Sequence, residues 1–386
     1  MAMKTSMNRR GFLRNTVKAG SIIAAPALLS WEPVQETPGL PKRAFGKTGT
    51  ELPILSMGVM RADNPNLVRA ALNAGIVHFD TAHGYQQGRN EEMLGKVFKG
   101  TPREKLFIAT KIKPGVSAAS FAEQFALSLK RLQMDYVDVL YLHGVSDRQT
   151  IQQADYLALM QQLKAEGKIR NAGISTHSNE AAAIHAAVET GVYRVALTSY
   201  NFKQHHTEAM AGALEEANRA GFGIVAMKTM MGGFMDSARR QPVDAGAALK
   251  WAWQNPNIHT AIPGFTTFDE LEVCLRAVRN LEMTASEKAF LASVQDLPGL
   301  YCQGCRECIP QCPAGLPIPD MMRAYMYGYG YKASSLARET LDELTLPPAV
   351  CTNCETCSVR CVNGFNVAER ISDIVRLKTV PVEFLA

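Results

Sequence analysis

The stretch VDVLYLHGVSDRQTIQQADYLALMQQLKAEGKIRNAGIST, residues 137–176, reads as strand, helix, strand. Its two ends, VDVLYLHGV and KIRNAGIST, are short apolar runs, and DYLALMQQLKAEG between them is amphipathic with helical spacing. The unit repeats in both directions. Upstream lie LSMGVM, IVHFDTA and LFIATKI; downstream lie RVALTSYNF, FGIVAMKTM and IHTAIPGF. Helical patterns such as LVRAALNAG, SFAEQFALSLKRL and EAMAGALEEANRAG separate them. Eight strands alternating with helices between Arg43 and Val278 predict an α/β fold, a (β/α)8 or TIM barrel. A doubly wound open sheet shares the alternation, but its glycine fingerprint is missing after the first strand. A hairpin precedes the barrel, RAFGKTGTELPILSMG, with Lys47-Thr48-Gly49 as its turn.

The chain has 386 residues, enough for one barrel and a small appendage. Its formal charge of +5 is local. Lys4, Arg9, Arg10, Arg14 and Lys18 precede the first acidic residue, Glu32, and the remainder is formally neutral. No basic face for nucleic acid follows. The basic start leads into AGSIIAAPALL, too short for a membrane span, which needs about 20 apolar residues. Residues 1–31 are therefore expected to be a secretory signal. Arg9-Arg10 followed by Gly-Phe-Leu-Arg resembles the twin-arginine type, which implies the twin-arginine translocation machinery as a partner. That implies a periplasmic or otherwise exported protein, membrane-anchored if the signal stays uncleaved.

Barrel chemistry sits at the C-terminal ends of the strands. Asp80 ends the second run, Lys111 lies at the end of the third, His143 nearly ends the fourth, and Tyr85 follows in a loop above the mouth. Singly, each has an ordinary structural explanation. Together they suit proton transfer at a carbonyl. A carbonyl that accepts hydride needs a proton donor, and a tyrosine near pKa 10 is a reluctant one. A neighbouring ammonium stabilises the phenolate. A buried lysine needs a carboxylate, which Asp80 supplies. A histidine across the pocket can orient the carbonyl oxygen.

Eight of the nine cysteines follow residue 300 in two groups. Cys302, Cys305, Cys308 and Cys312 are spaced C-x2-C-x2-C-x3-C, with Pro313 next. Cys351, Cys354, Cys357 and Cys361 repeat the spacing, with Val362 replacing the proline. Thiolates suit soft iron, and this spacing is the bacterial ferredoxin pattern. Such clustering argues against a disulfide framework or zinc. The intervening segment, from Pro319 to Leu344, is helical in pattern, and its MMRAYMYGYGY reads as packing of a small helical domain. Cys274 reads as a buried small hydrophobe.

The barrel as a whole resembles the aldo-keto reductases. FDTAHGY (79–85), GRNEEMLGKVF (88–98), ATK (109–111), DYVDVLYLHG (135–144), GKIRNAGIST (167–176), SYN (199–201) and AIPGF (261–265) occur in order. The resemblance implies a catalytic tetrad of Asp80, Tyr85, Lys111 and His143, with Tyr85 as acid/base and His143 positioning substrate. It implies NADP or NAD as cofactor, held by Ser175, Asn201 and Gly264. Leu197 stands where a glutamine for the carboxamide is expected, and Thr266, Thr267, Asp269 and Glu270 where a base for a 2′-phosphate often lies. NAD is thus at least as plausible on local charge.

A barrel followed by a dicluster domain resembles one branch of bacterial aldo-keto reductases, through STH (175–177), VAMKTMMGG (225–233) and CQGCRECIPQCP (302–313). The ferredoxin resemblance implies one 4Fe-4S cluster on Cys302, Cys305, Cys308 and Cys361, and a second on Cys351, Cys354, Cys357 and Cys312. The expected domains are a barrel over 42–295 and a mainly helical ferredoxin-like iron–sulfur domain over 296–386. The expected function is interconversion of a small-molecule carbonyl and alcohol, with the clusters relaying electrons to or from a partner protein. The alternative is an exported electron-transfer or binding protein whose barrel no longer uses a nicotinamide cofactor and whose clusters are a redox relay or structural.

Overall fold

The computed structural model describes residues 39–295, 297, 299–347, 350–351, 354 and 357–385. From Leu40 onward the described residues form one compact unit. The signal expected over 1–31 lies outside the described residues. Among the described residues no helix is long and apolar enough to cross a membrane.

The chain enters through an antiparallel hairpin, β1 (Lys42–Ala44) and β2 (Glu51–Pro53). Eight parallel strands follow in sequential order. They are β3 (Met57–Gly58), β4 (His78–Asp80), β5 (Phe107–Ile112), β6 (Val137–Leu142), β7 (Ile169–Thr176), β8 (Val195–Ser199), β9 (Gly223–Met227) and β10 (Thr260–Ala261). Each coincides with a strand read from the sequence. The sheet closes on itself: the Ser56 N–H donates to the Ala261 carbonyl at 2.8 Å, and Ala261 N–H donates to Ile54 at 2.9 Å. The result is a (β/α)8 barrel.

Helices fill every crossover. They are α1 (Pro65–Asn73), α2 (Arg89–Phe98), α3 (Ala118–Leu132), α4 (Arg148–Ile151), α5 (Ala154–Ala165), α6 (Glu180–Glu189), α7 (Thr207–Arg219), α8 (Ala245–Gln254) and α9 (Phe268–Arg279). A tenth, α10 (Ala285–Val294), begins with a capping box between Thr284 and Glu287.

Strand alternation sorts side chains into two layers. In β6, Val139 and Tyr141 point into the barrel, while Leu140 and Leu142 meet the helices. The same parity in β5 turns Phe107, Ala109 and then Lys111 inward, so the lysine tops an apolar column. The hairpin plugs the opposite end: Phe45 stacks edge-on against Phe107 at 5.5 Å and fills the space a side chain at Gly223 would need.

After α10 the chain turns back over the barrel mouth. It forms α11 (Ile318–Tyr325), a π-turn over Met326–Gly330, α12 (Ser334–Asp342) and α13 (Val367–Val375), and no strand among the described residues. Its anchors lie on the loops that follow β4 to β9. Gln87 bonds Glu339, Lys113 pairs with Glu343, and Arg306 donates to Ser146. Asn179 N–H donates to Gly304, Asn201 donates to Gln303, and His205 bonds Asn363. At the loop after β9, Gly232 has φ +105 and lies flat against the Tyr301 ring, which would clash with any Cβ there. The tyrosine-rich stretch read as internal packing therefore has a second role, because Tyr327 and Tyr331 face the barrel cavity. The sequence shows the helix but not what it covers.

Candidate active site

The loop after β4 is held rigidly. Gln86 and Gln87 adopt left-handed backbone conformations, and the Gln86 amide donates to the carbonyls of Met60 and Ala62, both at 3.2 Å. Asn90, buried at the start of α2, donates to Val59 at 2.7 Å and accepts from the Thr81 hydroxyl at 2.6 Å. These bonds explain the GRNEE run and fix Tyr85 over the mouth.

The four expected catalytic residues converge there. Lys111 Nζ forms a close ion pair with Asp80, donates to the Thr81 carbonyl at 2.6 Å, and lies 3.4 Å from the Tyr85 hydroxyl. The Tyr85 and His143 rings meet edge-on at 5.8 Å. Both members of the ion pair are almost fully buried. Burial pushes Asp80 up and Lys111 down from their ordinary ranges, while their mutual attraction opposes both shifts. Their charges cancel, and the Tyr85 phenol is accordingly not lowered. Burial, then Asp80, raise it well above the usual range, and Arg323 of α11 pulls it back in part. The resting tyrosine is therefore a protonated donor. Burial, then Lys111, Lys113 and Arg323, hold His143 well below the ordinary imidazole range, so it is neutral.

Asp80 and Tyr85 border a cavity of about 490 Å³, a size suited to a cofactor or substrate. His177 and Lys228 line it nearby, Gly264, Phe265, Glu270 and Cys274 line its α9 side, and Tyr327, Gly330 and Tyr331 form its cover. Of the three residues expected to hold a nicotinamide, Gly264 lines this cavity. Ser175 is fully buried and accepts the Gly144 N–H at 2.9 Å. Asn201 is committed to Gln303 and the Lys203 N–H. Leu197 packs inside the barrel with Tyr141 and Val225. Glu270 accepts both the backbone N–H (2.6 Å) and the hydroxyl (3.1 Å) of Thr266 at the start of α9. Cys274 is buried, its thiol pushed up to about 12.

Sequence reasoning passed over His177, Lys228 and Arg323 as site residues. The first two stood inside recognised motifs without a chemical role. Arg323 sits far along the chain, on a helix whose placement over the mouth only the fold reveals.

The cysteines form two groups. Cys302, Cys305, Cys308 and Cys361 line one small cavity of about 20 Å³, walled by Ile318, Met322 and Val367. Burial pushes Cys302 up to about 12, and the neighbouring Cys305, Cys308 and Cys361 raise it further. Cys351 is raised by burial and by its neighbours Cys357, Cys312 and Cys354. Among the described residues no three His, Cys, Asp or Glu side chains converge as a single metal ion requires.

An eight-stranded parallel barrel with a carboxylate, lysine, tyrosine and histidine gathered at its C-terminal mouth defines a barrel built for proton transfer. The family model described as "Aldo/keto reductase family" matches residues 52–248, and the chain belongs to that family. It is similar to L-galactose dehydrogenase of Arabidopsis thaliana, 35% identical over 151 residues, 34% of this chain and 47% of that one. It is similar also to L-glyceraldehyde 3-phosphate reductase of Escherichia coli K12, 32% identical over 160 residues, 36% of this chain and 46% of that one. The chain thus spans less than half the length of these relatives. An aldo-keto reductase of Bacillus halodurans, solved in its holo form, shares the fold with TM-score 0.56 at 23% identity, covering 66% of this chain and 96% of that one.

Proposed function

We propose that the protein is an exported oxidoreductase that interconverts a carbonyl and an alcohol. The observation that carries this is Lys111, which bonds Asp80 and reaches the Tyr85 hydroxyl at the edge of a buried cavity. Tyr85 gives its proton to the carbonyl oxygen and recovers it in the reverse direction. Lys111, a hydrogen-bond length from that hydroxyl, stabilises the phenolate left behind, and Asp80 keeps the ammonium charged and in place. His143, neutral and facing Tyr85, donates a hydrogen bond to the same carbonyl oxygen. A nicotinamide dinucleotide, when bound, supplies or removes the hydride. The cavity has the size for it, with Gly264 and the start of α9 along one side. Glu270 occupies an N–H there that a 2′-phosphate would want, and a carboxylate suits a ribose hydroxyl, so NAD fits better than NADP.

The two cysteine groups fit two 4Fe-4S clusters. Cys302, Cys305, Cys308 and Cys361 surround one apolar hollow, and Cys312 keeps company with Cys351, Cys354 and Cys357. A cubane spreads its thiolates further apart than one ion does, which accommodates the absence of a single-ion site. The clusters would exchange electrons with a partner protein. Export rests on the twin-arginine segment alone, and it would be tested by locating the mature protein in cell fractions.

A second reading, an exported electron-transfer protein with no nicotinamide, is favoured by Ser175 and Asn201 bonding protein rather than lining the cavity. Anaerobic purification with iron, sulfide and released-nucleotide analysis separates the two. About eight irons per chain, with nicotinamide bound or titratable and aldehydes reduced, is expected. Full iron without nucleotide binding overturns the dehydrogenase reading.

A further inference from the structure

The cavity holds more positive charge than its own carboxylates can answer. Arg61, Lys228 and Arg239 line it, and among the described residues none has a carboxylate oxygen within 4 Å. The guanidinium of Arg61 lies over the Tyr331 ring at 4.8 Å and that of Arg239 over Phe234 at 4.4 Å. The two carboxylates lining the cavity are committed elsewhere, Asp80 to Lys111 and Glu270 to Thr266. Among the described residues Lys228 has no aromatic face either.

Lys228 follows β9 with φ +56, a backbone region that a side chain-bearing residue avoids. Such strain concentrates at working sites. Its location is at the catalytic end. After burial, the principal charges acting on the His177 imidazole are Lys228 and Arg323, followed by His143 and Lys111. His177 lines the same cavity, and its Nδ1 has no hydrogen-bond partner. Lys228 is half-buried, has no direct ion-pair partner among the described residues, and is answered by Glu180, Cys302 and Asp320 only from a distance, so beside an unsatisfied imidazole it stands to gain from an anion.

We infer that the substrate carries an anionic group, a carboxylate or phosphate, that Lys228 receives with His177 beside it while the carbonyl reaches Tyr85. Lys228 and His177 are thus specificity-determining residues, and Arg323 of α11, itself paired with Asp320 at 2.9 Å, adds to the field on them. Two further cations, Arg61 and Arg239, remain for a dinucleotide's pyrophosphate. This inference rests on the cavity being the reaction site proposed above.

The test compares 4-oxobutanoate with butanal, aldehydes of equal length that differ by one carboxylate, in the wild type, Lys228→Met, Lys228→Gln and Lys228→Arg. The wild type is expected to prefer the acid. Met and Gln are expected to lower the acid-to-butanal ratio of kcat/KM by about tenfold to a hundredfold, chiefly through KM, with Arg restoring most of it. Equal wild-type efficiency on both aldehydes overturns the inference. So does a ratio unmoved by Met or Gln with weakened dinucleotide binding, which would assign Lys228 to the cofactor's pyrophosphate. Calorimetry with succinate needs no turnover. Binding that Lys228→Met abolishes upholds the anion site even if no aldehyde is reduced and the proposed reaction fails; no binding to the folded wild type overturns it.

Discussion

Asn201 donates its side-chain amide to Gln303 at 2.9 Å, both residues buried, and Gln303 adjoins Cys302. One hydrogen bond thus ties the end of β8 to the first cysteine of the C-terminal segment. Gln303 in turn donates to the Tyr301 carbonyl at 2.9 Å, next to the ring that rests on Gly232. Asn201→Ala would leave the Gln303 oxygen buried without that donor. We expect a loss of about 1–3 kcal/mol in anaerobic urea unfolding. Faster proteolysis after residue 300 should accompany it, and unchanged stability and cleavage would show that the bond anchors nothing.

Tyr85→Phe removes a hydroxyl whose hydrogen-bond partner among the described residues is Lys111 at 3.4 Å. The fold should be indifferent to it. Aldehyde reduction should fall by about 10²–10⁴ in kcat. A variant keeping more than a tenth of the activity would assign the proton to another donor.

The Asp80–Lys111 pair is nearly fully buried on both sides. Lys111→Met strands a buried carboxylate and should cost about 3–5 kcal/mol. Asp80→Asn combined with Lys111→Met should recover much of that stability while remaining inactive. Thermal melts and aldehyde turnover on the two variants separate the structural part of the pair from the chemical part.

Cys361→Ser and Cys312→Ser distinguish crossed from uncrossed ligation. If the fourth cysteine of each motif serves the other motif's cluster, Cys361→Ser damages the group with Cys302, and Cys312→Ser the group with Cys351. Each should lower iron by up to about four per chain. Combining Cys361→Ser with Cys305→Ser should cost no more iron than either alone, whereas uncrossed ligation would make that pair additive.

His259 is buried, and its Nδ1 accepts the Ile224 N–H at 2.9 Å, which requires a neutral ring. Burial, with Arg43 adding to it, pushes its pKa down to about 4. A depressed folded value means stability is complete above the unfolded pKa, near 6.5, and drains as pH falls toward about 4. Asp80, Glu91 and Asp138 are raised by burial and act with the opposite sign, so a difference measurement is needed. The stability advantage of the wild type over His259→Gln should shrink steadily between pH 6.5 and 4. A constant difference would mean that the imidazole does not titrate with folding.

The barrel was legible because short apolar runs alternate with amphipathic stretches of helical period from Arg43 to Val278. The tetrad was legible because strand ends are where a barrel exposes Asp80, Lys111 and His143. Lys228 was not, since a lysine in VAMKTMMGG gives no sign that its backbone is left-handed and its ammonium turned inward. Arg323, Tyr327 and Tyr331 were illegible for another reason: their partners lie across the fold, and no local spacing records a long-range contact. Asn201 shows the converse. Its motif is readable, yet its amide faces Gln303.

Because Tyr327, Gly330 and Tyr331 roof the cavity, a segment made after all eight strands completes its enclosure. A ribosome has released all eight strands before it has synthesised the roof. Until the tail seats, the barrel is a cup open to water, where a buried phenol and a paired lysine would be hydrated and ordinary. On the proposed function, seating of the tail would therefore license the barrel. A chain whose tail is never properly assembled should be a folded but silent protein rather than a leaky one.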